Sequence, residues 1–125
     1  MLNIALVAIG GAAGSVLRHF VNMVSLRLLG PGFPWGTVAV NVVGSFVMGA
    51  FIELLGRRLG GSTELRLFVA TGILGGFTTF SAFSLDFAVL WERGDAGQAI
   101  GYAAGSVVTS LLALFAGLWL VRSLA

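Results

Sequence analysis

The sequence predicts an all-α membrane protein with four transmembrane helices, the third of them broken, in a single domain over residues 1–125. The chain is 58% hydrophobic and 10% charged and contains no lysine, whereas about a quarter of the residues in a soluble domain are charged. Four apolar stretches are each long enough to cross a hydrocarbon layer of about 30 Å, which takes about 20 helical residues. The third stretch contains glycine and threonine residues that weaken a helix.

The four predicted spans are separated by short segments that contain turn residues. The spans cover about residues 2–26, 36–55, 64–91 and 97–121. Glycine and proline in the first connection, and glycine in the other two, favour turns over continued helix. The tryptophans lie near predicted helix ends, where an indole ring suits the membrane interface; they are Trp35, Trp91 and Trp119. These connections are too short to hold a soluble domain.

The segment Gly72–Phe83, which reads GILGGFTTFSAF, is the strongest functional signal in the chain. Glycine costs about 1 kcal/mol relative to alanine in a helix interior, and two β-branched threonines follow three glycines. We therefore expect the third helix to break at about residues 75–79. Irregular backbone at membrane depth survives only where protein buries it or a wet cavity lies beside it. The sequence thus predicts a functional site at mid-membrane.

Four crossings place both chain termini on the same side of the membrane. Four arginines share that side, and two lie opposite: Arg57, Arg58, Arg66 and Arg122 against Arg27 and Arg93. This is a weak asymmetry for an orientation rule that depends on positive charge, so we expect insertion in both orientations and an antiparallel two-fold dimer. Charge counting leaves a single, modestly biased orientation equally open. The scattered arginines form no basic stripe for nucleic acid.

Small or polar residues recur every four positions on two of the spans and so share one helix face on each. They are Thr37, Asn41, Ser45 and Gly49 on the second span, and Tyr102, Ser106 and Ser110 on the fourth. Helix packing in lipid also explains small and hydroxyl residues. Asn41 is the stronger candidate because a mid-membrane amide has four hydrogen-bonding positions to satisfy. Arg18 either faces an aqueous vestibule, pairs with Asp86 or extends to the headgroups.

The chain lacks the residue groupings that most catalysis requires. No carboxylate pair, histidine cluster or serine with an adjacent base occurs, so we expect no enzyme, and without cysteine there is no thiolate metal site. Transport or structural assembly remains. Phe80 and Phe83 lie on the same side of the helix after the break, and their positive ring edges would attract a small anion in a narrow passage. The same spacing is also typical of core and lipid-facing rings.

Three segments of the sequence resemble the CrcB/Fluc family of fluoride channels, and the resemblance covers essentially the whole chain. The segments are GGAAGSVLRH at Gly10–His19, GTVAVNVVGSFVMG at Gly36–Gly49 and GGFTTFSAFS at Gly75–Ser84. The resemblance implies a passive channel that exports fluoride from the cytoplasm through the cell inner membrane. It also implies a dual-topology antiparallel homodimer with two pores and a central sodium ion.

The resemblance further implies roles for individual residues. The backbone carbonyls of Gly75 and Thr78 would hold the sodium ion, and Arg18 would draw anions into a vestibule. The pore and fluoride-binding set would be Asn41, Phe80, Phe83, Thr37, Thr79, Ser81, Tyr102, Ser106 and Ser110. Ala82 follows Ser81 at a position where the family often carries a hydroxyl, which puts a hydroxyl role there in doubt.

Two other classes of membrane protein are alternatives. A small dual-topology drug or cation exporter is also a four-helix antiparallel dimer, but it would need an acidic residue in the first helix, where this chain has none. A non-transporting membrane subunit would explain the small residues on the helix faces, but it would not explain the broken third helix.

Overall fold

The computed structural model describes residues 1–124, and over that range the chain contains five helices and no strand. They are α1 (Leu2–Leu29), α2 (Trp35–Arg58), α3, α4 (Ser81–Glu92) and α5 (Ala96–Leu124). α3 is continuous over residues 63–77 and consists of Thr63–Leu65, a π-helical stretch Arg66–Leu74 and Gly75–Phe77. Together with α4 it forms the third of four spans that are long and apolar enough to cross a membrane. The four-span prediction is confirmed, with each span starting up to one residue earlier and ending one to three residues later than predicted.

The helices begin and end at residues whose chemistry suits a terminus. α1 is followed by Gly30, which has a φ of +77° and donates its N–H to the Leu26 carbonyl. A positive φ costs glycine little because it has no Cβ. Ser62 caps α3, since its Oγ accepts a hydrogen bond of 3.3 Å from the Leu65 N–H, and the Glu64 carboxylate lies in the first turn, near the positive end of the helix dipole. The short connections therefore follow from local sequence.

Glycines bring two pairs of helices into backbone contact. A Cβ on Gly10 or Gly14 of α1 would overlap the α3 backbone, and a Cβ on Gly76 of α3 would lie 2.6 Å from an α1 carbonyl oxygen. Gly49 of α2 and Gly117 of α5 meet the opposite helix in the same way. Small residues permit this close approach where lipid provides no hydrophobic drive between helices. The contacts fix α3 against α1 and α2 against α5.

The break in the third span lies slightly later than the sequence predicts. We expected it at about residues 75–79, but Gly75–Phe77 is helical, the backbone becomes extended at Thr78 with a ψ of 161°, and α4 starts at Ser81. Gly76 serves the contact with α1 and does not interrupt the helix. The nine-residue π-helical stretch that precedes Gly75 had no counterpart among the predicted elements, and runs of this kind are rare and concentrate at functional sites.

The best-buried aromatic residue lies near the loop that joins α1 to α2. Tyr102 of α5 is 2% exposed, and it packs with Leu90 and Ala99 in a small cluster that Phe83 and Phe87 partly cover. Many large apolar side chains elsewhere on the helices face outward, although Val40, Leu55 and Leu74 are also buried. In a membrane these outward faces meet lipid or another protein, and the polar residues are left to the interior.

Candidate functional site

Asn41 holds the break between α3 and α4. Its Nδ2 donates to the Thr79 carbonyl at 3.0 Å, and its Oδ1 accepts from the Thr79 N–H at 2.8 Å. In a continuous helix that N–H would pair with the carbonyl four residues earlier, which belongs to Gly75. Asn41 therefore replaces one helical hydrogen bond and leaves the Gly75 carbonyl without its helical partner.

The two threonines at the break satisfy further backbone groups. Thr78 Oγ1 donates to the Leu74 carbonyl at 2.9 Å, and Thr79 Oγ1 accepts from the Ala82 N–H at 3.1 Å. A continuous helix would have used that Ala82 N–H to pair with the Thr78 carbonyl. The Thr78 carbonyl accepts instead from Nη1 of Arg18, 3.4 Å away. The break thus turns two backbone oxygens away from helical pairing.

A groove of about 350 Å³ runs between the break, α2 and α5. It brings together six of the nine predicted pore residues: Asn41, Thr79, Phe80, Phe83, Ser106 and Ser110. Both predicted sodium-binding residues, Gly75 and Thr78, line the same groove. Ser45, which shares a helix face with Asn41, completes the polar lining, so no charged side chain is among the lining residues.

The two phenylalanines of the groove are held differently. Their ring centres are 5.6 Å apart with planes at 53°, a tilted arrangement that presents ring edges as well as faces. Phe83 also packs on the buried Tyr102 ring at 5.1 Å. Phe80 is 76% exposed. Phe83 is therefore held in place by a buried residue of this chain, whereas Phe80 lies on the exposed side of the groove.

Two hydroxyl groups in the groove lack hydrogen-bond partners within the part of the chain that the structure describes. They are the Oγ atoms of Ser106 and Ser110, and Ser106 as a whole is only 6% exposed. A buried polar group without a partner costs about 1–3 kcal/mol, and such groups are rare enough in native proteins to require an explanation. Both hydroxyls are available to a small ligand that accepts hydrogen bonds.

The other three predicted pore residues do not line the groove. Tyr102 donates its hydroxyl to the Asp86 carboxylate at 3.0 Å. Thr37 is 6% exposed and lines a second cavity of about 370 Å³, which Asp86 also lines. Ser81 is exposed, with its Oγ 3.4 Å from Thr79 Oγ1. The polar face of α2 is thus divided between two cavities, whereas Tyr102 of α5 lines neither of them.

The chain matches a known family over most of its length. Residues 5–118 match the family described as CrcB-like protein, Camphor Resistance (CrcB). The chain belongs to this CrcB family. Three relatives carry the name "Fluoride-specific ion channel FluC": the protein of Mesorhizobium japonicum is 64% identical, that of Agrobacterium fabrum 60% and that of Chelativorans sp. 56%. Each alignment spans 124 residues and covers 99% of both chains. The resemblance read from the motifs is confirmed.

One sequence interpretation of the CrcB chain is wrong. Arg18 does not pair with Asp86, because the Asp86 carboxylate accepts from Tyr102 and the half-buried guanidinium of Arg18 lies beside the Thr78 carbonyl. Sequence reasoning also missed Asp86 as the partner of Tyr102. An acidic residue within a span needs a polar partner, and that requirement was the available signal.

Glu53 lies near the carboxyl end of α2, on the side of the chain termini. Its side chain is only 16% exposed, and its carboxylate pairs with Arg122 of α5 and, at 3.6 Å, with Arg57 one turn further along α2. The pair with Arg122 joins the ends of α2 and α5 on the side of the chain termini.

The donors at the break fit an alkali or alkaline-earth cation better than a transition metal. Within residues 1–124 there is no cluster of three or more histidine, aspartate or glutamate side chains that could hold a metal ion. The carbonyls of Gly75 and Thr78 are hard oxygen donors, which Na⁺ and Ca²⁺ accept. The Arg18 guanidinium donates to the Thr78 carbonyl, so a cation there would share one of its oxygens with that side chain.

Proposed function

We propose that this chain is a passive, fluoride-selective channel that exports fluoride from the cytoplasm through the cell inner membrane and relieves fluoride toxicity. The observation that carries the proposal is the pair of buried, unpartnered hydroxyls of Ser106 and Ser110 in a groove with Asn41 and two phenylalanines. Relatives that are 51–64% identical and bear the name fluoride-specific ion channel support it.

The groove offers a small anion neutral hydrogen-bond donors and ring edges. Hydroxyl groups can replace part of the water shell of the ion, and the tilted rings of Phe80 and Phe83 contribute partial positive charge. Conduction requires binding that is favourable enough for entry and weak enough for release. A groove lined without charged side chains meets both requirements, because a fixed positive charge would hold fluoride too tightly.

No energy-coupling residue is needed for export. Fluoride enters cells as the neutral weak acid and ionises inside, and the negative interior then drives the anion outward at about 2.3 kcal/mol per charge per 100 mV. The alternative, a proton-coupled drug or cation exporter, would require an acidic residue in the first helix. α1, over Leu2–Leu29, contains none.

The working unit in this proposal is an antiparallel homodimer. Phe80 is 76% exposed and Gly75 is also exposed, so the groove needs a second wall, which a copy of the same chain in the opposite orientation would provide. Carbonyl oxygens of Gly75 and Thr78 from both copies would then converge on one axis. A sodium ion held there would offset the negative ends of those carbonyl dipoles and raise the local preference for anions.

Flux from liposomes tests the proposed function. Purified protein in vesicles loaded with potassium fluoride should release fluoride when valinomycin is added, without a proton gradient, and vesicles loaded with potassium chloride should release no chloride. Chloride release equal to fluoride release, or proton-dependent efflux of a cationic dye, would overturn the proposal.

A serine-to-alanine replacement inside the groove can be compared with one outside it. Replacing both Ser106 and Ser110 by alanine should lower fluoride flux at least tenfold, since a single hydrogen bond to a charged group contributes a net of about 1.5–3 kcal/mol and about 1.36 kcal/mol is a factor of ten in rate. Ser123→Ala is the control, because the Ser123 hydroxyl donates to the Trp119 carbonyl at 2.9 Å on an exposed part of α5. Equal flux in both variants would remove the observation on which the proposal rests.

A further inference from the structure

Arg93 joins the two loops at the end of the molecule opposite the chain termini. Its Nε donates to Asp95 Oδ2 at 2.7 Å, and its Nη2 donates to the Gly32 carbonyl at 3.0 Å and to Gln98 Oε1 at 3.4 Å. These contacts span α4, α5 and the loop between α1 and α2. Nη1 of Arg93 makes no hydrogen bond within the described part of the chain, so one edge of the held guanidinium stays free.

The second cavity, of about 370 Å³, lies directly beneath these loops. Its polar lining consists of Asn22, Ser25, Thr37, Asp86 and Arg93. Arg93 is the one basic side chain among the lining residues, and Asp86 is the one acidic side chain. The α1–α2 loop from Gly30 to Pro34 forms the outer rim. Part of the rim is therefore the loop that Arg93 joins to the start of α5.

Tyr102 connects this cavity with the groove at the break. Its ring packs on Phe83, which lines the groove, and its hydroxyl bonds Asp86, which lines the cavity. Tyr102 itself is 2% exposed and lines neither cavity. One buried tyrosine thus contacts a lining residue of the groove and a lining residue of the cavity.

An anion that travels between solvent and groove through this cavity meets the Asp86 carboxylate, which repels it. The Arg93 guanidinium carries the opposing charge, and its three hydrogen bonds hold it at the rim. A unit charge about 6 Å from an anion in water changes the local anion concentration about threefold. Fixed charges of this kind at a mouth raise the encounter rate of a charged substrate and lose their effect in high salt.

We propose that Arg93 is an anion-attracting residue at the outer mouth of the pathway, which offsets the repulsion of Asp86 and supplies fluoride to the cavity. The inference rests on the proposed fluoride channel. Arg93 acts by its charge, and the contacts with Asp95, Gly32 and Gln98 serve to hold that charge in place.

The test compares fluoride efflux at an ionic strength of about 0.01 M, where the screening length is about 30 Å, and about 1 M, where it is about 3 Å. Arg93→Gln should lower the flux about threefold at low salt and match the unmodified protein at high salt. Arg93→Lys, which keeps the charge but not the planar fork, should conduct normally at both. The control is Arg27→Gln, since Arg27 is exposed at the end of α1 on the same side and does not line the cavity.

A purely structural role for Arg93 as a clasp between the loops predicts other outcomes. Arg93→Gln and Arg93→Lys would then lower the flux equally at every ionic strength, and Asp95→Asn would lower it too. The electrostatic role predicts that Asp95→Asn raises or preserves the flux at low salt, because the guanidinium is then less neutralised. Results of the first kind, or no difference between Arg93→Gln and Arg27→Gln, would overturn this inference alone. Absence of fluoride flux in the unmodified protein would overturn the proposed function instead.

Discussion

Replacing Asn41 by aspartate should abolish fluoride flux while the helices still assemble. Asn41 uses one donor and one acceptor on the backbone of Thr79, at 3.0 and 2.8 Å. Aspartate keeps the acceptor but loses the donor, and its second oxygen faces the Thr79 carbonyl oxygen. The change is nearly isosteric, so it tests hydrogen-bond polarity and charge without creating a cavity.

The expected size of the effect follows from two terms. Leaving the part-buried Thr79 carbonyl without its donor costs about 1–3 kcal/mol, which destabilises the geometry of the break. The new negative charge also faces any anion in the groove, and two unit charges about 4 Å apart repel by about 4 kcal/mol at an effective dielectric constant of 20. Since 1.36 kcal/mol is a factor of ten, the second term alone lowers the rate of passage about a thousandfold.

Efflux from liposomes measured with a fluoride electrode gives the flux, and size-exclusion chromatography of the same preparation reports on assembly. Asn3→Asp is the matched control, because it adds the same charge at the exposed start of α1. Flux in Asn41→Asp within about twofold of the unmodified protein would refute the reasoning, since neither the charge nor the lost donor would then matter to the ion.

Four further results are expected. Gly14→Ala should destabilise the protein by about 1–3 kcal/mol in thermal melts, because its Cβ would overlap the α3 backbone, whereas Gly11→Ala, with nothing within 4 Å, should not. Phe80→Ile, which keeps an apolar side chain but removes the ring edge, should lower fluoride flux at least tenfold without altering the elution volume. Glu53→Gln should lower the melting temperature at low salt and not at high salt, because it breaks the pair with Arg122. Exchange of sodium for a large organic cation should weaken the dimer, and an unchanged dimer dissociation constant would contradict the proposed central cation.

The position of the break shows where sequence reasoning stops. Helix propensity correctly singled out the glycine and threonine segment, but it placed the start of the break at Gly75, three residues too early. Gly76 is helical and lies against α1, and the helix ends where Asn41 captures the Thr79 N–H. Asn41 and Thr79 are 38 residues apart in sequence, so no local propensity reports their pairing.

The division of the polar residues into two cavities was equally hidden. Four-residue spacing places Thr37 and Asn41 on the same helix face, and likewise Tyr102 and Ser106. It does not say which neighbour each residue meets. Thr37 and Asp86, the hydrogen-bond acceptor of Tyr102, line one cavity, and Asn41 and Phe83 line the other.

The amino-acid sequence alone establishes that this is a membrane protein with four spans and that most polar residues on the helix faces are uncharged. Each of these properties depends on composition or on spacing along one helix. Which groups form hydrogen bonds with one another is established only by the packed structure. The Arg18 guanidinium donates to the Thr78 carbonyl, the Asn41 amide bonds the Thr79 backbone, and the Tyr102 hydroxyl donates to Asp86. Those hydrogen bonds form only when neighbouring helices lie at the right distance and rotation, which the glycine contacts between helices set. These contacts join residues that are far apart in sequence, so spacing along one helix does not reveal them.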